Sequence, residues 1–142
     1  MNNIVRAKTE RHDLGRFGER VAIRYLLFHG YLVRRRGYMT EDGNEVDLIA
    51  TNREYVIFVE VKTRLLDVKN PNEPRPASAV FPDKQRSVIA AARHYSANHP
   101  SERKKRLDII EIYVSEKNGR KRVAEVKHLK GAFNVTTAFK PH

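Results

Sequence analysis

Residues 45–65, EVDLIATNREYVIFVEVKTRL, decide the fold of this 142-residue chain. Two apolar runs, 46–50 and 55–61, flank the short polar segment 52–54, and this pattern predicts an antiparallel β-hairpin. The second run is apolar on both of its alternating faces. A strand of that kind belongs in the centre of a sheet that is covered on both sides.

The segments on either side of this hairpin predict alternating helices and strands. A helix predicted from Asp13, as its N-cap, to His29 is followed by Gly30, a residue that is common just after helix ends. Four prolines in 67–82 predict a long loop, and such loops are uncommon unless they have a function. The predicted elements are a helix over 13–29, a strand over 31–38 near a sheet edge, hairpin strands over 45–51 and 55–63, a helix over 83–98, and a second hairpin with strands over 107–114 and 122–128.

This order predicts a single α/β domain over 13–134, with a mixed β-sheet flanked by helices. Residues 1–12 are predicted to be a flexible N-terminus and 135–142 a C-terminal tail. The first helix has an apolar stripe and an opposite, solvated side that carries arginines. The stripe is Leu14, Phe17, Val21, Tyr25 and Phe28, and the arginines are Arg16, Arg20 and Arg24.

The composition limits the classes of partner and of site. Lys and Arg number 28 against 17 Asp and Glu, a formal net charge of +11. This excess favours polyanions and above all nucleic acid, although a merely basic or ribosome-associated protein would share it. The absence of cysteine excludes disulfides, thiolate zinc sites and thiol nucleophiles. Since no apolar segment is long enough for a signal peptide or a membrane span, a cytoplasmic protein without membrane association is expected.

Two acids and a lysine interrupt the apolar strands of the first hairpin. Asp47 lies in the first strand and Glu60 in the second, where an unpaired carboxylate is costly to bury. Alternation places Glu60 and Lys62 on one face, and the hairpin brings Asp47 next to them. Two carboxylates this close favour a hard divalent cation, Mg²⁺ or Mn²⁺, which activates water for attack on a phosphodiester, while Lys62 stabilises charge on the phosphate. The pattern predicts metal-dependent phosphodiester hydrolysis, with Asp47 and Glu60 as metal ligands.

Glu19, in the first predicted helix, is a candidate third acid at the margin of the apolar stripe. Gly15 and Gly18 flank it, and each costs about 1 kcal/mol relative to alanine inside a helix. Close approach of the helix to the sheet, or to a phosphate, would explain both glycines. A surface Glu19 that pairs with Arg16 or Arg20 is the alternative.

A second Glu-x-Lys pattern occurs at Glu125 and Lys127, with Asp108 in the partner strand. The segment that contains it is rich in charge and has the pattern of an edge strand with solvated side chains. We therefore interpret Asp108, Glu125 and Lys127 as structural residues.

Several short motifs occur in order along the chain. They are Gly-Arg-Phe-Gly-Glu (15–19), Glu-Val-Asp-Leu-Ile-Ala (45–50), Phe-Val-Glu-Val-Lys-Thr-Arg (58–64), Lys84, Arg106-Leu107-Asp108 and Ala132-Phe133-Asn134. Together they resemble the YraN family of predicted endonuclease-like proteins, from which the chain departs at Asn44, where glycine usually precedes the Glu-Val-Asp run. That family is similar in fold to PD-(D/E)XK nucleases, archaeal Holliday junction resolvases in particular.

The resemblance implies a restriction-endonuclease-like three-layer fold. It implies catalytic positions for Asp47, Glu60 and Lys62, and it matches Glu19 to an acid that the first helix contributes. Glu45 also lies in a motif, and a surface glutamate beside the strand is its simplest interpretation.

Two functions follow as hypotheses. The first is a Mg²⁺-dependent endonuclease that prefers DNA to RNA, with structured or branched DNA expected from fold analogy alone. Symmetric cutting of two strands would call for a homodimer. The second is a non-catalytic nucleic-acid-binding protein that retains the fold. The candidate nucleic-acid contacts are Arg34, Arg35, Arg36, Arg64 and Lys84.

Overall fold

A five-stranded mixed sheet lies between two helices in the computed structural model, which describes residues 2–66 and 82–132. The elements are α1 (Asn3–Phe28), β1 (Leu32–Met39), β2 (Glu45–Thr51), β3 (Tyr55–Leu65), α2 (Pro82–Asn98), β4 (Lys104–Lys117) and β5 (Arg120–Leu129). The loop predicted over 67–82 lies outside the described residues except for Pro82, the first residue of α2. The predicted C-terminal tail at 135–142 lies wholly outside them.

The strands follow one another in the sheet in chain order, so that β3 lies at the centre and β1 at an edge. β3 and β4 are parallel, whereas the other neighbouring strands are antiparallel. The mixed α/β class, both hairpins, the central position of β3 and the edge position of β1 are therefore confirmed. In the second hairpin Asn118 and Gly119 have φ angles of 54° and 74°, the left-handed conformation that suits a two-residue turn.

Each helix packs on one face of the sheet through its own apolar cluster. Successive residues of β3 divide between the two faces, since Ile57 and Val59 lie in the cluster beneath α1 and Val56 and Phe58 in the cluster beneath α2. The α1 cluster also contains Val21, Ala22, Leu26, Leu48, Ile110 and Ile112, and the α2 cluster contains Ile49, Val88, Ala91, Ala92, Leu107 and Ile109. Burial on both faces explains why β3 is apolar on both.

The start of α1 differs from the prediction. The helix begins at Asn3 rather than at Asp13, and the Asn2 side chain caps it by accepting a backbone amide hydrogen bond at 2.9 Å. The predicted start is wrong because the first turns of α1 have no apolar stripe. They are exposed, and the cap and local ion pairs such as Arg6 with Glu10, at 3.3 Å, support them instead. The segment predicted to be flexible is thus helical from Asn3 onward.

The apolar stripe of α1 is confirmed except at its end. Four of its predicted members pack against the α1 cluster: Leu14, Phe17, Val21 and Tyr25. Phe28, the last residue of α1, is instead 89% exposed. The three predicted surface arginines are exposed. Neither α1 nor α2, the helices of the described part of the chain, is apolar enough over a sufficient length to cross a membrane.

α1 lies close against β3 at Gly18. A Cβ atom on Gly18 would lie 1.8 Å from Thr63 Oγ1 and 2.8 Å from Thr63 Cβ. The predicted close approach of helix to sheet is therefore confirmed at this position. A Cβ atom on Gly15 would meet nothing within 4 Å, so helix packing does not explain that glycine.

Gly18→Ala is expected to lower the free energy of unfolding by about 1–3 kcal/mol, the usual cost of forcing extra atoms into a packed contact. β-Branched Thr63 lies in a strand and has few rotamers with which to move aside. Gly15→Ala is the matched control and is expected to stabilise the protein by up to about 1 kcal/mol, since alanine is the better helix former. Urea unfolding followed by circular dichroism measures both. Effects of the same sign in the two variants would contradict the contact.

Candidate active site

β2 and β3 diverge at one end of their hairpin, and Asp47 lies where they separate. Residues 48–51 pair with 56–59. Beyond this ladder, Asp47 Oδ2 accepts a hydrogen bond from the backbone amide of Val61 at 2.8 Å. A side-chain carboxylate thus takes the role of a backbone acceptor, which holds Asp47 against β3.

Glu60 is the buried acid of the site, with 4% of its surface exposed. Its Oε1 atom lies 3.9 Å from Lys62 Nζ and 3.6 Å from Lys84 Nζ. Its Oε2 atom is buried and accepts no hydrogen bond from any described residue. Because a buried oxygen without a partner is costly, Oε2 is a position at which a proton or a cation would be stabilising.

Asp47 and Glu60 are close enough to influence each other's charge. Burial raises the pKa of Glu60. Asp47 raises it further, to about 8, by its charge and by a hydrogen bond between the two carboxyl groups, although Lys84 and Lys62 act in the opposite direction. Two such carboxylates are ligands of the kind that Mg²⁺ takes from proteins. Among the described residues, no group of three or more acids or histidines could hold a metal. An ion at this pair would therefore complete its coordination with water and with phosphate oxygens.

Glu60→Gln is expected to remove a pH dependence of stability. The folded pKa of about 8 exceeds the ordinary value of 4.5, so the contribution of this carboxyl to stability is complete below pH 4.5 and is lost as the pH rises through 8. In EDTA the variant should match the wild type near pH 5 and exceed it by about 2 kcal/mol near pH 9, because lost ion pairs offset part of the gain. Urea unfolding across this range measures the difference. A difference that does not vary with pH would refute the raised pKa.

A cavity of about 490 Å³ opens beside these acids, between α1 and the diverging ends of β2 and β3. Glu19, Asp47 and Lys62 all line it. Since Lys62 also pairs with Glu60, its side chain contacts both the buried acid and the space that a ligand would occupy. The structure thus brings Glu19, Asp47 and Lys62 together at one cavity, and Glu60 lies next to Asp47 and Lys62 without lining it.

Glu19 forms an ion pair, but not with either of the helix arginines that a purely surface position would give it. Its partner is Arg36 of β1, with 3.5 Å between Glu19 Oε1 and Arg36 Nε, rather than Arg16 or Arg20. The Glu19 side chain is 32% exposed. Glu19 therefore joins α1 to β1 at the rim of the cavity and stays accessible to a ligand there.

The predicted nucleic-acid contacts of β1 each have a partner within the protein. Arg34 Nε donates a hydrogen bond to Thr51 Oγ1 at 2.8 Å. Arg35 lies over the ring of Tyr38, 5.3 Å from its centroid, and the third arginine makes the ion pair with Glu19. All three side chains are exposed on the edge strand, and their contact with nucleic acid stays a prediction.

Glu111 is a further buried acid, and the sequence motifs do not predict it. It is 3% exposed, accepts a hydrogen bond from Tyr113 Oη and lies 3.8 Å from Arg64 Nε. Arg64, a candidate phosphate contact, is therefore held by an acid of β4 that is directly opposite Lys62 in the sheet. Glu111 interrupts the apolar run of its strand just as Glu60 does, and that signal could have found it.

Lys84 of α2 belongs to the acid cluster. Its Nζ atom lies 3.7 Å from Glu45 Oε1 and 3.6 Å from Glu60 Oε1. The backbone amide of Glu45 donates a hydrogen bond to Ser87 Oγ at 3.1 Å. Glu45 is partly exposed, as a residue beside the strand would be, but it also helps to fasten α2 to the site.

The second acid pattern forms a satisfied structural network. Asp108 is fully buried, accepts two hydrogen bonds of 2.8 Å from Arg106, lies 2.7 Å from His128 Nε2 and accepts the Gly131 amide at 3.0 Å. Burial alone would raise the pKa of Asp108, but the hydrogen bonds with His128, Arg106 and Gly131 hold it below its usual value. Lys127 is next to His128 in β5 and therefore faces the other side of the sheet. The pattern does not converge on a second site, in agreement with its structural interpretation.

Residues 18–112 match the model of a family described as uncharacterised protein family UPF0102, and this range contains Glu19, Asp47, Glu60 and Lys62. A UPF0102 protein of Chlorobium phaeobacteroides (strain BS1) is 40% identical over 124 residues, which cover 86% of this chain and 94% of the relative. A UPF0102 protein of Prosthecochloris aestuarii is 38% identical over 124 residues, with coverage of 86% and 94%. One from Caldicellulosiruptor bescii is 35% identical over 123 residues, with coverage of 85% and 97%. The names of these relatives specify no activity.

Proposed function

The chain belongs to uncharacterised protein family UPF0102, and from its site geometry we propose that it is a metal-dependent endonuclease that hydrolyses phosphodiester bonds in nucleic acid. The proposal depends above all on Glu60, whose buried Oε2 receives no hydrogen bond from any described amide or cation and whose carboxyl can bond Asp47 only through a shared proton. A buried structural carboxylate is normally satisfied, as Asp108 is. Two adjacent carboxyl groups that can bond each other only through a proton suit a bound cation instead.

Each residue of the site has a defined role in this proposal. Asp47 and Glu60 would hold Mg²⁺ or Mn²⁺, which when bound lowers the pKa of a water that can attack a phosphodiester. The hydrogen bond from the Val61 amide keeps the Asp47 carboxylate in position. Lys62 stabilises the negative charge that accumulates on the phosphate in the transition state. Glu19 offers a further carboxylate at the cavity rim.

The proposal includes a fold class and a substrate class. Three features support the restriction-endonuclease-like three-layer fold that the sequence motifs imply. They are a helix, an antiparallel hairpin that carries the acids, and a parallel crossover to β4. By the same resemblance to PD-(D/E)XK nucleases, we propose DNA over RNA, and structured or branched DNA in particular. The net charge of +11 supports a polyanionic substrate.

A non-catalytic nucleic-acid-binding protein is the second candidate, and one observation favours it. Both Lys62 Nζ and Lys84 Nζ lie within 3.9 Å of Glu60 Oε1. Two ammonium groups thus already offset the buried charge without a metal. In this alternative the acids form a structural cluster and the basic surface carries binding.

Thermal melting in Mg²⁺, Mn²⁺ or EDTA separates the two candidates. A metal that binds only the folded site is expected to stabilise it by about 2.7 kcal/mol at 100 times its Kd. The shift should be larger above pH 8 than near pH 6, because the metal must displace the proton of Glu60. Asp47→Asn keeps an acceptor for the Val61 amide but lacks the charge, so it should lose the shift. Equal shifts in both proteins, or none in the wild type, would favour the non-catalytic candidate.

A further inference from the structure

Residues of α1 between positions 11 and 19 form one wall of the cavity. The sequence pattern assigns the first two of these positions to a flexible segment before the domain. Arg11, Gly15 and Glu19 line the cavity at four-residue intervals, so they lie along one side of the helix. Arg16 lines the same wall, although its position in the pattern assigned it to the solvated side. Two arginines therefore lie on the helical wall of the space that Asp47 and Lys62 close from the sheet.

Gly15 is a glycine that no packing contact requires. A Cβ atom there would meet nothing within 4 Å, whereas alanine would favour the helix by about 1 kcal/mol. At Gly18, by contrast, Thr63 accounts for the glycine. A bare backbone at Gly15 leaves room for a ligand to lie directly against the helix, between Arg11 and Glu19.

The charges of two neighbouring cavities show where an anion is stabilised. The first cavity has three cationic side chains, those of Arg11, Arg16 and Lys62, and of its two acids Glu19 is already paired with Arg36. A second cavity continues past Arg11 along the start of α1. It has no such excess of cations, since it is lined by Arg11 and Lys121 against Asp13, Glu116 and Glu10, which pairs with Arg6. A phosphate is therefore favoured in the first cavity.

We propose that Arg11 and Arg16 bind a backbone phosphate that neighbours the phosphate to be cut, and that Gly15 lets the sugar–phosphate chain lie against α1. Arginine suits this role because its planar guanidinium can donate two parallel hydrogen bonds to phosphate oxygens. This inference rests on the proposed function, since it assigns the nucleic-acid strand to the same cavity. Binding can nevertheless be measured in the absence of cutting.

Fluorescence anisotropy tests the subsite with a fluorescein-labelled DNA hairpin that carries a single-stranded tail, titrated in EDTA at several salt concentrations. Arg11→Ala and Arg16→Ala should each weaken binding about fivefold and reduce the slope of log affinity against log salt by about 0.7–0.9, the loss of one phosphate contact. Arg24→Ala is the matched control, because Arg24 is an exposed arginine of α1 away from the cavity. Affinities equal to that of Arg24→Ala would overturn the subsite.

Gly15→Ala provides a second test that does not alter charge. It should raise the melting temperature and yet weaken binding of the same DNA, a combination that a merely structural glycine would not produce. Tighter or unchanged binding would overturn the role of Gly15. Weaker binding in these variants, without any metal-dependent cutting by the wild type, would support the subsite and contradict the proposed hydrolysis. Cutting by the wild type with unchanged binding in the variants would do the reverse.

Discussion

Lys62→Met is expected to reduce metal-dependent cleavage of nucleic acid by at least about 100-fold while the protein stays folded and binds its substrate. Loss of a group that stabilises charge in a transition state typically costs 100- to 1,000-fold in rate, so about 100-fold is the lower bound. The side chain of Lys62 is 33% exposed, and Lys84 stays 3.6 Å from the same oxygen of Glu60 when Lys62 is removed, so the variant should stay folded. Single-turnover cleavage of labelled DNA gives the rate, and anisotropy gives the affinity.

Lys84→Met is the matched control for this prediction. Lys84 approaches the same oxygen of Glu60, at 3.6 Å, but from α2. Of the two lysines, Lys62 is the one that lines the cavity formed by the described residues. Lys84→Met should therefore cost far less activity. Equal losses would mean that both lysines only neutralise Glu60, and full activity in Lys62→Met would rule out its catalytic role.

Asp108→Ala is expected to destabilise the protein by about 3–5 kcal/mol, the usual cost of removing one partner from a buried ion pair. Asp108 is fully buried, and its removal would leave Arg106 and His128 facing an uncharged cavity. The Gly131 amide would also lose its acceptor. Urea unfolding at neutral pH measures the change in the free energy of unfolding.

Two further variants test whether the destabilisation of Asp108→Ala comes from the loss of its hydrogen bonds or from a general sensitivity of the fold to lost charge. Asp108→Asn keeps the size of the side chain and an acceptor for Gly131, so it should cost less than Asp108→Ala. Glu10→Ala removes an exposed ion pair with Arg6 and should leave stability almost unchanged. A change in Asp108→Ala as small as that in Glu10→Ala would refute the structural role of the network.

The core of the fold and of the site could be predicted because two sequence signals coincide in one hairpin. β3 is apolar on both faces, which indicates a central strand, and Glu60 stands where burial penalises a carboxylate. Alternation then places Lys62 beside Glu60, and the short turn brings Asp47 to the same end. Both signals arise from the cost of burying charge, which depends on local sequence and on strand geometry.

Other features depend on contacts that local periodicity does not contain. The first turns of α1 have no apolar stripe, so their helical state depends on the Asn2 cap and local ion pairs rather than on a buried face. Arg11 reaches the cavity only because that helix continues to Asn3. The partnership of Glu19 with Arg36 joins α1 to β1, and such a pairing is set by the relative placement of two elements.

Cleavage assays on labelled linear, flapped and four-way-junction DNA and on single-stranded RNA, in Mg²⁺, Mn²⁺ or EDTA, test the proposed hydrolysis most directly. We expect cutting of DNA in either metal, none in EDTA and none by Asp47→Asn. Salt-sensitive binding without cutting, identical in the wild type and in Asp47→Asn, would contradict the proposed hydrolysis and identify a non-catalytic nucleic-acid-binding protein.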